Sequence, residues 1–196
     1  MLRSLVPFLF AAGALAQTPP GSFAYTKNNL GAAFQNATIT PGVWISPDDV
    51  SDQPAIWPSK KMQRDSRYMI IMMDLNIPDS DVTTASYYDT LVPGLATNTT
   101  TRVHWWGGNY TIENGQFVNS SDSLAEYTAP RPRDSTNHTY TLYLFDQPAG
   151  YVPPQAALDG TYYSQNTDAR FNFSLAPIVE AVGEPVAATY FLSDEV

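Results

Sequence analysis

The chain has 196 residues, no cysteine, 43% hydrophobic residues and a formal net charge of -9 at pH 7. That length suits one domain built around one apolar core. The missing cysteines exclude disulfides, thiol catalysis and thiolate metal sites, and the acidic balance, with Lys and Arg scattered, excludes the concentrated basic surface that nucleic acid needs.

Met1-Leu2-Arg3, an apolar run from Leu5 to Ala12 and Ala14-Leu15-Ala16 as an A-x-A site predict a signal peptide over 1–16. The mature protein then begins at Gln17 as a single domain over 17–196, in the secretory pathway or outside the cell. The leader is shorter than the roughly 20 apolar residues that cross a bilayer, and no later stretch is long enough, so no membrane span is expected. Asn36, Asn98, Asn109, Asn119, Asn137 and Asn172 each begin an Asn-x-Ser/Thr sequon and are the expected glycosylation sites.

Sixteen prolines and many Asn, Asp, Ser and Thr residues cut the chain into short apolar or alternating runs, which predicts a mainly β fold. In chain order, weak strands are expected at Ala37 to Ile39, Trp44-Ile45 and Ala55-Ile56. Arg67 to Asp74 is the clearest strand, its Tyr-Met-Ile-Ile-Met-Met run implying burial on both faces. The hydrophilic segment Ile77 to Thr100 reads as a surface excursion with a short helix near Ala85 to Leu91. Strands follow at Thr101 to Gly107 and Tyr140 to Asp146, with Arg131 and Arg133 between them as a solvated basic loop. Phe171, Leu175, Ile178 and Val182 have helical spacing and predict a helix over about Asp168 to Val182, with Pro177 at a turn boundary or kink. A last strand is expected over Ala187 to Leu192.

His104 and His138 are the only histidines, and each sits at the edge of a predicted strand. Period-two alternation places His104 on the face of Trp106, and His138 on the face of Tyr140 and Leu142. Asp74 closes the most apolar strand, where a carboxylate must reach solvent or a partner. An Asp74, His104, His138, Tyr140 cluster results if the strands are neighbours. The plainer alternative is a packed His104, a loop His138 inside its sequon and a strand-end Asp74. Two imidazoles and a carboxylate are also the makings of an iron triad, but nothing in the spacing favours one. With no nucleophile elbow, glycine-rich phosphate loop or H-E-x-x-H motif, neither a metal nor an organic cofactor is expected.

Seven short motifs, in order, resemble the phosphatidylethanolamine-binding protein family. Ile45-Ser-Pro-Asp-Asp-Val-Ser-Asp-Gln-Pro-Ala-Ile56 is similar to L-T-P-x-Q-V-x-x-x-P, Asp74-Leu-Asn-Ile-Pro78 to D-P-D-A-P, and His104-Trp105-Trp106 to H-W-L. Tyr127-Thr-Ala-Pro-Arg-Pro132 resembles Y-x-G-P-x-P, His138-Thr-Tyr140 resembles H-R-Y, Leu144-Phe-Asp-Gln-Pro148 resembles L-F-x-Q-P, and Pro185-Val-Ala-Ala-Thr-Tyr190 resembles P-V-A-G-T-x-Y. The resemblance implies a Greek-key β fold with a large central antiparallel sheet, a smaller sheet and a few peripheral helices, one near the C-terminus. It also implies an anion-accepting cavity with Asp74, His104, His138 and Tyr140 on its wall. Trp106, Asn76, Tyr127 and Pro130, from the same motifs, are the expected ligand contacts. Asn76 stands in place of the second acidic residue, Thr139 in place of the arginine and Val103 in place of the first histidine of a frequent pair, so an ion pair often kept beside the cavity is gone.

Exported, diverged members of the family resemble proteins of fungal maleidride pathways, which act beside ketosteroid-isomerase-like partners in joining maleic-anhydride units. That resemblance implies acid–base chemistry on a small anion, with a histidine as base, Asp74 orienting it and Tyr140 donating to an oxyanion. Two alternatives stay open: a secreted module that holds a small anion or phospholipid headgroup without turnover, and a protease-inhibitor-like protein that works through its surface loops.

Overall fold

A computed structural model describes residues 16–59, 62–78, 99–133, 135–165 and 168–195. Most of the expected leader, the short helix expected near Ala85 to Leu91 and the Asn98 sequon lie outside the described residues. The elements in chain order are β1 (Gly31–Ala33), β2 (Val43–Trp44), β3 (Ala55–Trp57), β4 (Tyr68–Pro78), β5 (Thr99–Glu113), β6 (Gln116–Asn119), β7 (His138–Asp146), α1 (Gln155–Leu158), α2 (Ala176–Val182) and β8 (Ala187–Ser193).

β1 and β3 form a small antiparallel pair, and the other six strands form one sheet in the order β2-β8-β7-β4-β5-β6. Only β2 runs parallel to its neighbour, β8. β4, β5 and β6 are laid down side by side, and β7 then returns to pair with β4. This is the Greek-key arrangement, and the fold is mainly β with few helices, as expected. The tight β5–β6 connection follows from Asn114-Gly115, both at positive φ (51° and 80°). Asn-Gly tolerates the left-handed conformation that a two-residue hairpin turn demands. The same dipeptide is the signal by which β6, absent from the sequence reading, was legible.

β4 is apolar on both faces because both faces are covered. Ile70 and Met72 pack with Trp105, Tyr140, Leu142 and Phe191 on one side, while Met69, Ile71 and Met73 pack with Val103, Trp106, Tyr143 and Phe173 on the other. Each fully buried side chain of this kind contributes about 1.5–3 kcal/mol, so the central strands are the rigid part of the molecule.

The helix expected over Asp168 to Val182 is replaced by two shorter pieces. A 3-10 turn covers Asp168–Arg170, and α2 begins only at Ala176, with Pro177 in its first turn. Proline is accepted there because its missing N–H would be unpaired anyway, whereas in a helix interior its ring clashes with the preceding turn. The residues between run beside β5, where Asn172 N donates to Thr101 O at 2.8 Å and Phe171 bridges Arg102. That detour brings Phe171 to the site.

Candidate functional site

β4 and β7 are antiparallel neighbours in a register that sets Asp74 opposite Tyr140. Asp74 and His138 are therefore next-door residues on one sheet face, and His138 Nδ1 lies 2.6 Å from Asp74 Oδ2, with both side chains buried. The other carboxylate oxygen, Oδ1, accepts the Asn76 N–H at 3.2 Å, at an irregularity where β4 and β5 lose register between Asp74 and Ile77. Buried charge needs such partners. An ionised carboxylate can only accept, so the imidazole Nδ1 carries the hydrogen of this bond.

His104 reaches the same site through an irregularity of its own. Across β4 and β5, Met72 faces Trp105 and Met73 faces Val103, which leaves His104 as an extra residue on β5. Simple alternation predicted His104 on the face of Trp106. The bulge corrects this: the His104 ring packs edge-on against Tyr140 at 5.2 Å, and Tyr140 belongs to the core layer of Trp105, while Trp106 belongs to the opposite layer. Tyr140 in turn stacks on His138, with ring centroids 6.1 Å apart and planes 16° apart. The four residues thus meet around one cleft, which, among the described residues, Ile77, Arg102, Arg131 and Phe171 also line.

The expected ligand contacts divide. Trp106 is on the other side of the sheet, where it packs edge-on with Phe173, and does not line the cleft. Asn76 borders the dyad: its Oδ1 accepts the Thr139 N–H at 2.8 Å and its Nδ2 donates to Asn137 O at 3.2 Å. The two positions that depart from the family's charged pattern therefore meet each other through a neutral hydrogen bond. The Tyr127 hydroxyl donates to Val50 O at 2.7 Å, and burial pushes its phenol well above the ordinary range. Pro130 is buried and offers its carbonyl to Arg131 Nη1. Neither of these two lines the cleft.

Three residues at or behind the cleft escaped the sequence reading. Arg131, read as part of a solvated loop, and Arg102 both line it. Arg170 is fully buried beneath it, donating to the main-chain oxygens of Tyr162, Tyr163, Glu126 and His104 and to Thr128 Oγ1 at 2.7–3.4 Å. Nothing local marks Arg170 in the sequence, because its partners come from three separate segments.

His104 Nδ1 donates to Thr128 O at 2.7 Å, which directs its other nitrogen, Nε2, to act as an acceptor. Burial, reinforced by the charge of Arg102, holds this imidazole well below the usual range, so it is neutral at pH 7. The unfolded chain takes up that proton near pH 6.5 and the folded chain does not. Stability is then fully present above about pH 6.5 and falls as pH drops below it, by up to about 1.4 kcal/mol per unit. Urea unfolding between pH 5 and 7 is expected to show a steeper loss for the wild type than for His104→Gln. Parallel slopes would remove His104 from the account.

Of the expected glycosylation positions, Asn36, Asn137 and Asn172 are exposed, whereas Asn109 and Asn119 are half-buried. Asn109 Nδ2 is already bonded to Ser121 Oγ at 3.1 Å. Among the described residues, no three His, Cys, Asp or Glu side chains are grouped as ligands for a metal ion, and no helix is long and apolar enough to cross a membrane.

Comparisons with known proteins follow the same lines. No curated protein matches the chain in sequence. Among solved structures, it is similar to a carboxypeptidase Y inhibitor complexed with its cognate proteinase, at TM-score 0.57 and 16% identity over 85% of this chain and 83% of that one. It is also similar to a phosphatidylethanolamine-binding protein from Plasmodium vivax, at TM-score 0.52 and 14% identity over 87% of this chain and 90% of that one. At such identities the likeness is one of fold. The family model for phosphatidylethanolamine-binding protein matches residues 25–189, most of the chain, and with the motif order and the strand order this places the protein in the phosphatidylethanolamine-binding protein family.

Proposed function

We propose that the protein is an exported enzyme or accessory protein whose cleft takes a small anionic molecule and moves a proton on it. The fitting role is the coupling or cyclisation of maleic-anhydride-type units in fungal secondary metabolism, beside a ketosteroid-isomerase-like partner. The observation that carries this reading is the buried 2.6 Å contact between His138 and Asp74. A carboxylate on Nδ1 holds an imidazole in one tautomer, leaves Nε2 as the base and stabilises the imidazolium once a proton has been taken.

In that role, His138 Nε2 removes a proton from the sp3 carbon attached to the ring double bond of a substituted maleic anhydride. The electron pair of the broken C–H bond is delocalised through that double bond onto the carbonyl oxygen as a dienolate, whose carbon adds to the ring double bond of a second unit; the π pair of that bond becomes an enolate and takes the proton back from His138. The Tyr140 hydroxyl is the assigned donor to the developing oxyanion, and the neutral His104 a second hydrogen-bonding group.

A second reading is favoured by one observation. Among the described residues the cleft has a volume of only about 20 Å³, room for a single small group, which suits capture of an anion or headgroup without turnover. A protein partner is a third, on the precedent of the similar inhibitor found in complex with a proteinase.

Native mass spectrometry of the purified protein with maleic-anhydride-type anions and phosphoethanolamine, followed by product analysis, separates these readings. A coupled product that disappears in His138→Ala supports the enzyme. Stoichiometric binding without product means a carrier, and neither result turns attention to protein partners.

A further inference from the structure

We propose that the protein carries a second binding site, on the opposite face of the main sheet from the cleft, which takes a compact neutral molecule with an apolar body and a carbonyl oxygen. That oxygen accepts from the Trp106 indole N–H and the Tyr151 hydroxyl.

A cavity of about 260 Å³ lies between the start of β4, β5 and the segment that follows β7, walled by Met69, Trp106, Leu124, Tyr151, Pro153 and Leu158. An apolar cavity of roughly 150 Å³ is enough to hold benzene, so this one has room for a substituted ring. It shares no lining residue with the cleft, and Met69 precedes Asp74 on β4 by about 16 Å along the strand. Pro78 and Thr99, which bracket the undescribed residues 79–98, pair at the far end of β4, about 25–30 Å from Met69 along the strand.

Two donors belong to side chains that line this cavity and have nothing to donate to. Among the described residues, Trp106 Nε1 and the Tyr151 hydroxyl are buried without a hydrogen-bond partner, and the whole Trp106 side chain is buried. Native proteins leave few buried donors unpaired, because each costs stability. An indole nitrogen can only donate. Burial pushes the Tyr151 phenol up, so it too keeps its proton at neutral pH. Of the other polar side chains in the lining, Asn109, Ser121 and Gln147 bond to one another. Asn109 N donates to Gln147 Oε1 at 2.8 Å, Gln147 Nε2 to Asn109 Oδ1 at 3.2 Å, and Asn109 Nδ2 to Ser121 Oγ at 3.1 Å. What the two donors call for is an acceptor brought by a ligand.

The rest of the lining selects its kind. Leu158 is 50% exposed and Val152, between the lining residues Tyr151 and Pro153, is 70% exposed, so apolar surface continues beside the cavity and suits an apolar body. Among the described residues, no Lys or Arg lines the cavity, whereas Asp122 does. A carboxylate on the ligand would lose water there without gaining a cation, and a neutral carbonyl would not.

Titration of the isotope-labelled protein with acetophenone, ethylbenzene and benzoate, read by NMR of the indole N–H signals, tests this. Trp106→Phe, or the through-space contact of the ring with Phe173, identifies the Trp106 signal. Acetophenone is expected to move that signal downfield. It should bind about fivefold to tenfold tighter than ethylbenzene, which has a similar shape and no acceptor, and than benzoate, which is charged. Tyr151→Phe should weaken acetophenone by about threefold to fivefold and move ethylbenzene by no more than about twofold. Ethylbenzene or benzoate binding as tightly as acetophenone would overturn the site, as would indifference of acetophenone to Tyr151→Phe. So would a lower urea midpoint for Tyr151→Phe without ligand, the mark of a hydroxyl that already has a partner. A Trp106 signal that no probe moves would show that water or another part of the chain already occupies the donor, and would overturn it too.

Discussion

Replacing Arg170 with methionine is expected to lower stability by about 3–5 kcal/mol, a large fraction of the total for a domain of this size. The guanidinium is fully buried and joins the segment 126–128, the turn at 162–163 and His104 on β5. Removing it leaves these acceptors without their donor, each orphaned buried group costing about 1–3 kcal/mol, and relaxation to admit water keeps the total below the sum. Burial and the nearby charge of Arg102 pull its pKa down to about 10, so it remains charged at neutral pH. Arg170→Lys keeps the charge but gathers every donor on one nitrogen, so it should recover only part of the loss. Urea unfolding with an unchanged m-value is the measurement. A loss under about 1 kcal/mol for Arg170→Met would show that these hydrogen bonds are readily replaced by water.

Asp74→Leu is expected to cost a comparable amount, about 3–5 kcal/mol, because it breaks a buried pair and strands both the His138 Nδ1–H and the Asn76 N–H. Asp74→Asn is the informative contrast. The amide is close in shape and can still accept one hydrogen bond, so stability should fall by only about 1–2 kcal/mol. It can also donate, and so no longer enforces the tautomer that leaves Nε2 as base. Any proton-transfer activity should then drop by roughly 100-fold to 10,000-fold. Nitrogen NMR of the His138 ring reads the tautomer directly. A protein that keeps its activity in Asp74→Asn has its base elsewhere.

The central strands β4, β5 and β7 of the main sheet were legible because their signal is local, while β6 was missed. The Tyr68 to Met73 run could only be a strand buried on both faces, and His138 to Asp146 alternates clearly enough to be placed within two residues of its observed start. That Asp74 needs a donor was legible too, since a carboxylate at the end of an apolar strand must find one; strand register decided that the donor is His138 and not His104. Local reading failed where one residue breaks a period. The extra residue in β5 turned His104 toward Tyr140, and Trp106, correctly seen as an aromatic of the same motif, went to the opposite core. Pro177 was recognised as an obstacle to a long helix, yet periodicity alone could not say that the chain would run alongside β5 instead of kinking.

By itself, then, the order of residues determined the mainly β class and the family, and pointed to the four side chains that the fold gathers at one cleft, because hydrophobic period and residue chemistry are properties of neighbouring positions. Only the tertiary structure decided which face His104 takes, that Arg102 and Arg131 guard the cleft, and that Arg170 ties the loops beneath it. These depend on strand register and on hydrogen bonds between segments up to 84 residues apart, as between Arg131 and Pro47. A bulge or a returning loop fixes such contacts, and neither leaves a periodic trace in the residues it brings together.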